Sequence, residues 1–209
     1  MKTTMKTLLT IAALRGKSTS PSYRWSGLLL SFLLLLPGLW GCDDDPFKIM
    51  WELRPDTVLL YSLARPEMNL NSAFDFIRRN AVRVEAPSAV GEWDVAVDTQ
   101  NGAIVLVPPG AIGVAKSRAA IAPIDDTTFD EIRRAPSDTT LYIGDRPVVM
   151  EVGQLYVIRT RQKQGSYGSL CVYYGKFEPL FLDPEEGRLS FIYDVSPVCN
   201  DRKLVPPKK

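Results

Sequence analysis

The stretch CVYYGKFEPLFLDPEEGRLSFIYDVSPVC, Cys171–Cys199, decides the fold. At its middle, DPEEG (Asp183–Gly187) puts Pro and Gly where a chain reverses. After the turn, Leu189, Phe191 and Tyr193 alternate with Arg188, Ser190 and Asp194, the two-residue period of a half-buried strand. Each cysteine stands fourteen residues from position 185. If the two arms run as one hairpin, the thiols face each other. Such a bridge closes a loop of about 29 residues, worth on the order of 3–4 kcal/mol in the chain-entropy description. Pro179 and Pro197 lie in the arms and have no N–H for the ladder, so they need edge positions or bulges. CxxC spacing is absent, which argues against a catalytic thiol pair.

Working upstream, short strands and turns repeat. LYVIRTR and LCVYYGKF flank QKQGSYGS as a further hairpin. EWDVAVD and AIVLV flank TQNG, where Asn101 and Gly102 tolerate positive φ and Trp93, Val95 and Val97 fall on one face. AFDFI and AVRVE flank RRN, and TVLLYSL (Thr57–Leu63) reads as a strand. DDTTFDEIRRA (Asp125–Ala135) is the one helical stretch, with Thr127 as cap and Asp130 and Glu131 in the first turn. The body is therefore expected to be all-β, a sandwich or open barrel of antiparallel hairpins with one short helix.

At the other end, LLLLPGLWGCDDD (Leu33–Asp45) closes an apolar run with Cys42. Gly27–Leu36 is about ten residues and Pro37 interrupts its extension, whereas a spanning helix needs about twenty. A basic lead, a short apolar centre and a small residue before the cut read as an export signal, with an uncleaved anchor helix as the competing reading. Leu39 and Gly41 before Cys42 resemble the bacterial lipobox, and Trp40 departs from it where a small residue is usual. The likeness implies lipid attached at Cys42, and two acyl chains suffice for stable anchoring. Asp43, Asp44 and Asp45 read as a solvated spacer or a sorting tag. The organisation expected is a signal helix over 1–41, a lipidated tether over 42–55, a β domain over 56–205 and a frayed tail over 206–209. The location is the bacterial envelope, at the outer membrane or surface or on a periplasmic face. Export places Cys171 and Cys199 in an oxidising compartment, where pairing is expected.

The first 41 residues carry five basic and no acidic side chains, which leaves 20 basic against 24 acidic in the rest, net −4. That balance, with no basic run, argues against nucleic acid. The 168 residues from Cys42 onward are enough for one core. With no histidine, Ser-His-Asp, Cys-His and HExxH arrangements are unavailable. No phosphate-binding glycine loop is present, and GAIG (Gly110–Gly113) reads as a turn. The acidic pairs Asp125-Asp126 and Glu185-Glu186 fall in turns, where exposed carboxylates are ordinary. No enzyme is indicated. Trp51, Trp93, Tyr156, Tyr173, Tyr174, Phe177, Phe181, Phe191 and Tyr193 can stack a ligand or fill a core.

The order of motifs resembles the HmuY-like lipoproteins. SAFDF is followed by Trp93-Asp94-Val95-Ala96, and then by Phe129 and Ile132 with Ala135-Pro136 and Asp145. Next come Tyr156 with Ile158-Arg159, Tyr174 with Lys176, and Phe191 with Tyr193. Val97 stands where that family usually has Phe. The likeness covers roughly residues 72–195 and implies an all-β, lipid-anchored body that binds haem at the cell surface. In that family two histidines or two methionines hold the iron. Here the resemblance leaves Met68 and Met150 as the pair, although a buried methionine also fills gaps. Two readings follow: a binding protein for haem or another flat apolar molecule, or a non-catalytic interaction module with an envelope protein as partner.

Overall fold

In chain order the strands are β1 (Asp56–Tyr61), β2 (Ala73–Asp75), β3 (Asn80–Val82), β4 (Val95–Gln100), β5 (Ala103–Val107) and β6 (Ala120–Ile124). They continue as β7 (Val148–Val149), β8 (Leu155–Arg159), β9 (Lys163–Gln164), β10 (Leu170–Cys171), β11 (Tyr174–Asp183) and β12 (Arg188–Val195). The computed structural model describes residues 51–114, 116–165 and 168–207, all within the unit Ile49–Lys209. The expected signal segment over 1–41, Cys42 with Asp43–Asp45, and the last two residues lie outside the described residues. One antiparallel sheet has the order β1-β12-β11-β8-β6 and the other β3-β2-β4-β5-β7. β9 and β10 form a small separate ribbon. The main core draws on both sheets, so the body is an all-β sandwich.

The β11–β12 hairpin explains why the cysteines meet. Asp183 pairs with Arg188 at the turn, which centres the register between residues 185 and 186. The register shifts between Pro179 and Phe181, so Leu180 is an extra residue on β11. Beyond that bulge Pro179 faces Phe191 and Gly175 faces Val195, which moves the centre to residue 185, the midpoint of the two cysteines. Ladder bonds continue outward from Ser196 N–H to Tyr174 C=O (2.9 Å) and from Asn200 N–H to Val172 C=O (2.9 Å). The Cys171–Cys199 disulfide follows, with Cα atoms 5.1 Å apart. At the tip, Gly187 takes φ +56° and Asp183 Oδ1 accepts the Glu186 N–H.

The other hairpins form where alternation and turn residues agree. β4 and β5 close over Asn101 and Gly102, both at positive φ, with Gln100 opposite Ala103. β8 pairs with β11, Arg159 opposite Tyr174, and the β9–β10 ribbon lies in the connection between them. Inside, Phe74 and Phe76 from the SAFDF segment meet edge-on at 4.8 Å and pack against Phe177, Phe191 and Tyr193. Each such aromatic pair is worth about 0.5–1.5 kcal/mol beyond its burial.

Two expectations are corrected. Asp125–Ala135 is not a helix. Thr128, rather than Thr127, caps a single turn: Glu131 accepts from its N–H and hydroxyl, and Ile132 N–H reaches its carbonyl. The chain then extends, because Ala135 N–H bonds Arg202 C=O and Leu204 N–H bonds Arg133 C=O. Burial of Ile132, Ala135 and Leu204 in a second small cluster favours this pairing over local helix propensity. Trp93 also leaves the face of Val95 and Val97. The strand period starts only after a bend at Asp94, so Trp93 packs instead with Ala73 and Ala96.

Candidate functional site

Four separate segments build a cleft of about 350 Å³ at one end of the sandwich. The strap before β1 supplies Trp51, Glu52 and Arg54; the β2–β3 turn supplies Phe76, Ile77 and Arg79. Tyr173 comes from just before β11, and Val195, Ser196 and Pro197 from the end of β12. Trp51 and Tyr173 give it aromatic surface, as small-ligand sites usually have, while Phe76 lies fully buried beneath it. The indole Nε1–H of Trp51 is buried and has no hydrogen-bond partner. Such an unpaired donor costs about 1–3 kcal/mol.

Asp194 organises the strap side. It is buried, and its Oδ1 accepts from Arg79 Nη1 (2.9 Å) and its own neighbour Val195 N–H. Its Oδ2 accepts from the Arg54 N–H at 3.4 Å. Arg79 Nη2 donates to the Arg54 carbonyl, and its guanidinium lies 5.0 Å from the Tyr193 ring centre. One arginine therefore ties the strap to β12. The Arg54 guanidinium stays in solvent; among the described residues its carboxylate neighbour is Glu52 at 3.6 Å.

A buried ion network holds the turn that forms the cleft floor. Arg161 donates two 2.9 Å bonds to the two oxygens of Asp75 and lies 3.1 Å from Asp94. Asp94 Oδ1 accepts the Arg161 N–H (2.7 Å) and Oδ2 the Phe76 N–H (2.8 Å). Asp75 Oδ1 accepts the N–H groups of Ile77 and Arg78. Burial pushes the Asp94 carboxyl up to about 6, against the pull of the Arg161 charge and the two N–H donors; the Asp75 charge adds to the rise. Burial opposes the charge of Arg161, but the hydrogen bonds to Asp75 and the charge of Asp94 more than offset this and raise its pKa. Phe76 and Ile77 reach the cleft because these carboxylates fix their backbone.

The methionines do not form a site. Met68 is 73% exposed on the β1–β2 loop, whereas Met150 is 3% exposed inside the main core, its N–H on Ile104 C=O. Neither lines the cleft. With no histidine in the chain, these residues do not fit the ligation of haem iron. Of the aromatic set, Tyr156, Phe177, Phe191 and Tyr193 are core; Trp93 and Tyr174 belong to smaller clusters; Phe181 is exposed; Trp51 and Tyr173 face the cleft. Asp125, Asp126, Glu185 and Glu186 are all exposed. Among the described residues no three His, Cys, Asp or Glu side chains come together to hold a metal. The sequence reading missed Arg54, Phe76, Arg79, Asp75 and Arg161. The one signal available was that Asp75 and Asp94 interrupt otherwise apolar segments; Arg161, within the polar run Arg159–Lys163, gave none. No family model, curated protein or solved structure matches this chain.

Proposed function

We propose that this chain is a lipid-anchored, non-catalytic binding protein of the bacterial cell envelope, and that the cleft beside Trp51 takes a flat apolar ligand. The carrying observation is the cleft lined by the aromatic side chains of Trp51 and Tyr173. The lipobox-like Leu39–Cys42 and the ordered motifs that resemble HmuY-like lipoproteins support the envelope location and the class of ligand. A tether from Cys42 to Trp51 reaches at most about 30–35 Å when extended, so the cleft stays close to the membrane that anchors it. A ligand of the porphyrin type is held here by its ring and edge groups and not through iron, because neither methionine borders the cleft.

The test is a pair of titrations followed by absorbance, one with hemin and one with metal-free protoporphyrin IX. Both are expected to saturate at one site, with affinities within about threefold of each other because no protein–iron bond contributes. Both should weaken in Trp51→Ala. Binding of hemin alone, untouched by Trp51→Ala, would show that the ligand sits elsewhere and that iron is held.

The interaction-module reading draws on a different observation. Val149, Val152, Leu180 and Phe181 are all about half exposed or more, and Gly153 N–H bonds Pro179 C=O, which brings their loops side by side. Failure of both porphyrins to bind would favour that face, with an envelope protein as partner.

A further inference from the structure

We infer that the outer face of the β1-β12-β11-β8-β6 sheet docks a second copy of this chain, with a two-fold axis running along β11. The inference goes beyond the cleft and does not depend on what fills it. β11 is the middle strand, and the outer face differs on its two sides. Towards β8 and β6 it is covered. Ala122, Leu155 and Val157 pack there against Ile132, Ala135 and Leu204, which belong to the paired segments 128–135 and 202–204. Lys176 on β11 marks the border of this ribbon, because its Nζ donates to the Phe129 carbonyl and sits over the Phe129 ring. Towards β12 and β1 the cover stops, and no residue of either strand belongs to that cluster. Leu60, Leu189 and Phe191 point into the main core, so their neighbours Leu59 and Ser190 point outward. Leu59 faces Ser190 and Ser190 faces Phe181, one row across three strands, with Leu59 and Phe181 both nearly half exposed.

The two sides also carry opposite free charge. On the ribbon, Arg134 stands directly opposite Lys203, a like-charge pair that costs stability. The carboxylates there are engaged locally: Asp201 holds Lys203, Glu131 accepts from Thr128, and Asp130 acts on Lys176. Among the described residues Arg133, Arg134 and Arg202 have no ion pair. On the uncovered side Arg188 takes Asp183 and Arg65 takes Glu186. Glu178, in the next row with Ile192 and Thr57, and Glu185 at the hairpin tip have no ion pair among the described residues. A half-turn about β11 lays the basic ribbon of each copy over the apolar, acidic strip of the other, so the contact is made twice. Each ribbon then fills the step beside its partner's. A cationic partner of another kind satisfies the strip alone; a second copy satisfies strip and ribbon together. The axis runs parallel to the strands, so both straps enter at one end of the dimer and both tethers reach one membrane.

Sedimentation velocity of the full chain in mild detergent tests this. The native protein is expected to pass from monomer to dimer with a dissociation constant on the order of 10 μM, and to go no further, because a two-fold contact closes on itself. Two charge-reversed variants supply the decisive comparison: Arg133→Glu with Arg134→Glu, and Glu178→Lys with Glu185→Lys. All four side chains reach solvent, so the fold tolerates the changes. Each variant alone carries one sign on both patches and should dimerise about tenfold or more weakly than the native chain. Mixed in equal amounts, the two should dimerise within about threefold of the native affinity, because both contacts again join opposite charges. A native chain that stays monomeric to about 200 μM overturns the inference. So do variants that dimerise alone as well as the native chain, or a mixture no tighter than its components. None of these outcomes bears on ligand binding in the cleft, which the porphyrin titrations test separately.

Discussion

Replacing Arg161 by methionine should lower the unfolding free energy by about 3–5 kcal/mol at neutral pH, the usual result of removing one partner from a buried ion pair. Asp75 and Asp94 are 1% and 0% exposed, and the guanidinium is the cation that faces both. Their backbone N–H partners remain in the variant, and Arg78 Nη1 stays 3.3 Å from Asp75 Oδ2, but Asp94 loses the one cation beside it among the described residues. The pH dependence identifies the cause. A buried, unpaired carboxyl has a folded-state pKa above its unfolded value near 4. The folded variant therefore binds more protons than the unfolded chain, and its stability rises as pH falls from 7 towards 5. Asp94 already leans this way in the native protein, pushed up to about 6 by burial. Urea unfolding at pH 7.5 and at pH 5 should show the deficit of Arg161→Met shrinking at the lower pH. A deficit equal at both values would mean lost packing and not stranded charge. Affinity for porphyrin should fall as well, because Asp75 and Asp94 hold the backbone of Phe76 and Ile77.

The double variant Cys171→Ser, Cys199→Ser should lose about 3–4 kcal/mol, from the loop of about 29 residues that the bridge closes. The loss should be uneven. The β11–β12 ladder is independent of the bridge, whereas the β9–β10 ribbon is held to the body next to it by Asn200, which bonds Val172 twice and Leu170 once. Hydrogen exchange should therefore show protection falling most in residues 163–173 and least in β12. Tyr173 lies in that region and Pro197 two positions before the second cysteine, so the variant should also bind ligand less well. Uniform loss of protection across both sheets would contradict this division.

What the sequence reveals of the fold is what depends on near neighbours. The alternation after Gly187, the Asn101-Gly102 turn and the spacing of the cysteines about residue 185 all concern residues that meet within one hairpin. Where a distant segment competes, local reading fails. Asp125–Ala135 has a helical composition, yet Arg202 and Leu204 draw it into an extended pairing from about seventy residues away. The bend at Asp94 that turns Trp93 off its strand face depends on Arg161, which belongs to the other sheet's connection. The cleft is harder still. Trp51 and Tyr173 are visible as aromatic residues, but nothing in their spacing brings them to Phe76 and Pro197. That meeting is a product of sheet topology. Met68 and Met150 show the converse: two plausible ligands by residue type, which the topology keeps apart as an exposed loop residue and a core residue.

The most direct measurement is the mass of the native protein extracted from membranes, taken with and without reductant and with its N-terminal peptide sequenced. The account predicts an amino terminus at Cys42 carrying acyl chains, residues 1–41 gone, and a gain of two hydrogens on reduction as Cys171 and Cys199 separate. A terminus still bearing the leader, with both of those thiols free before reductant is added, would contradict it.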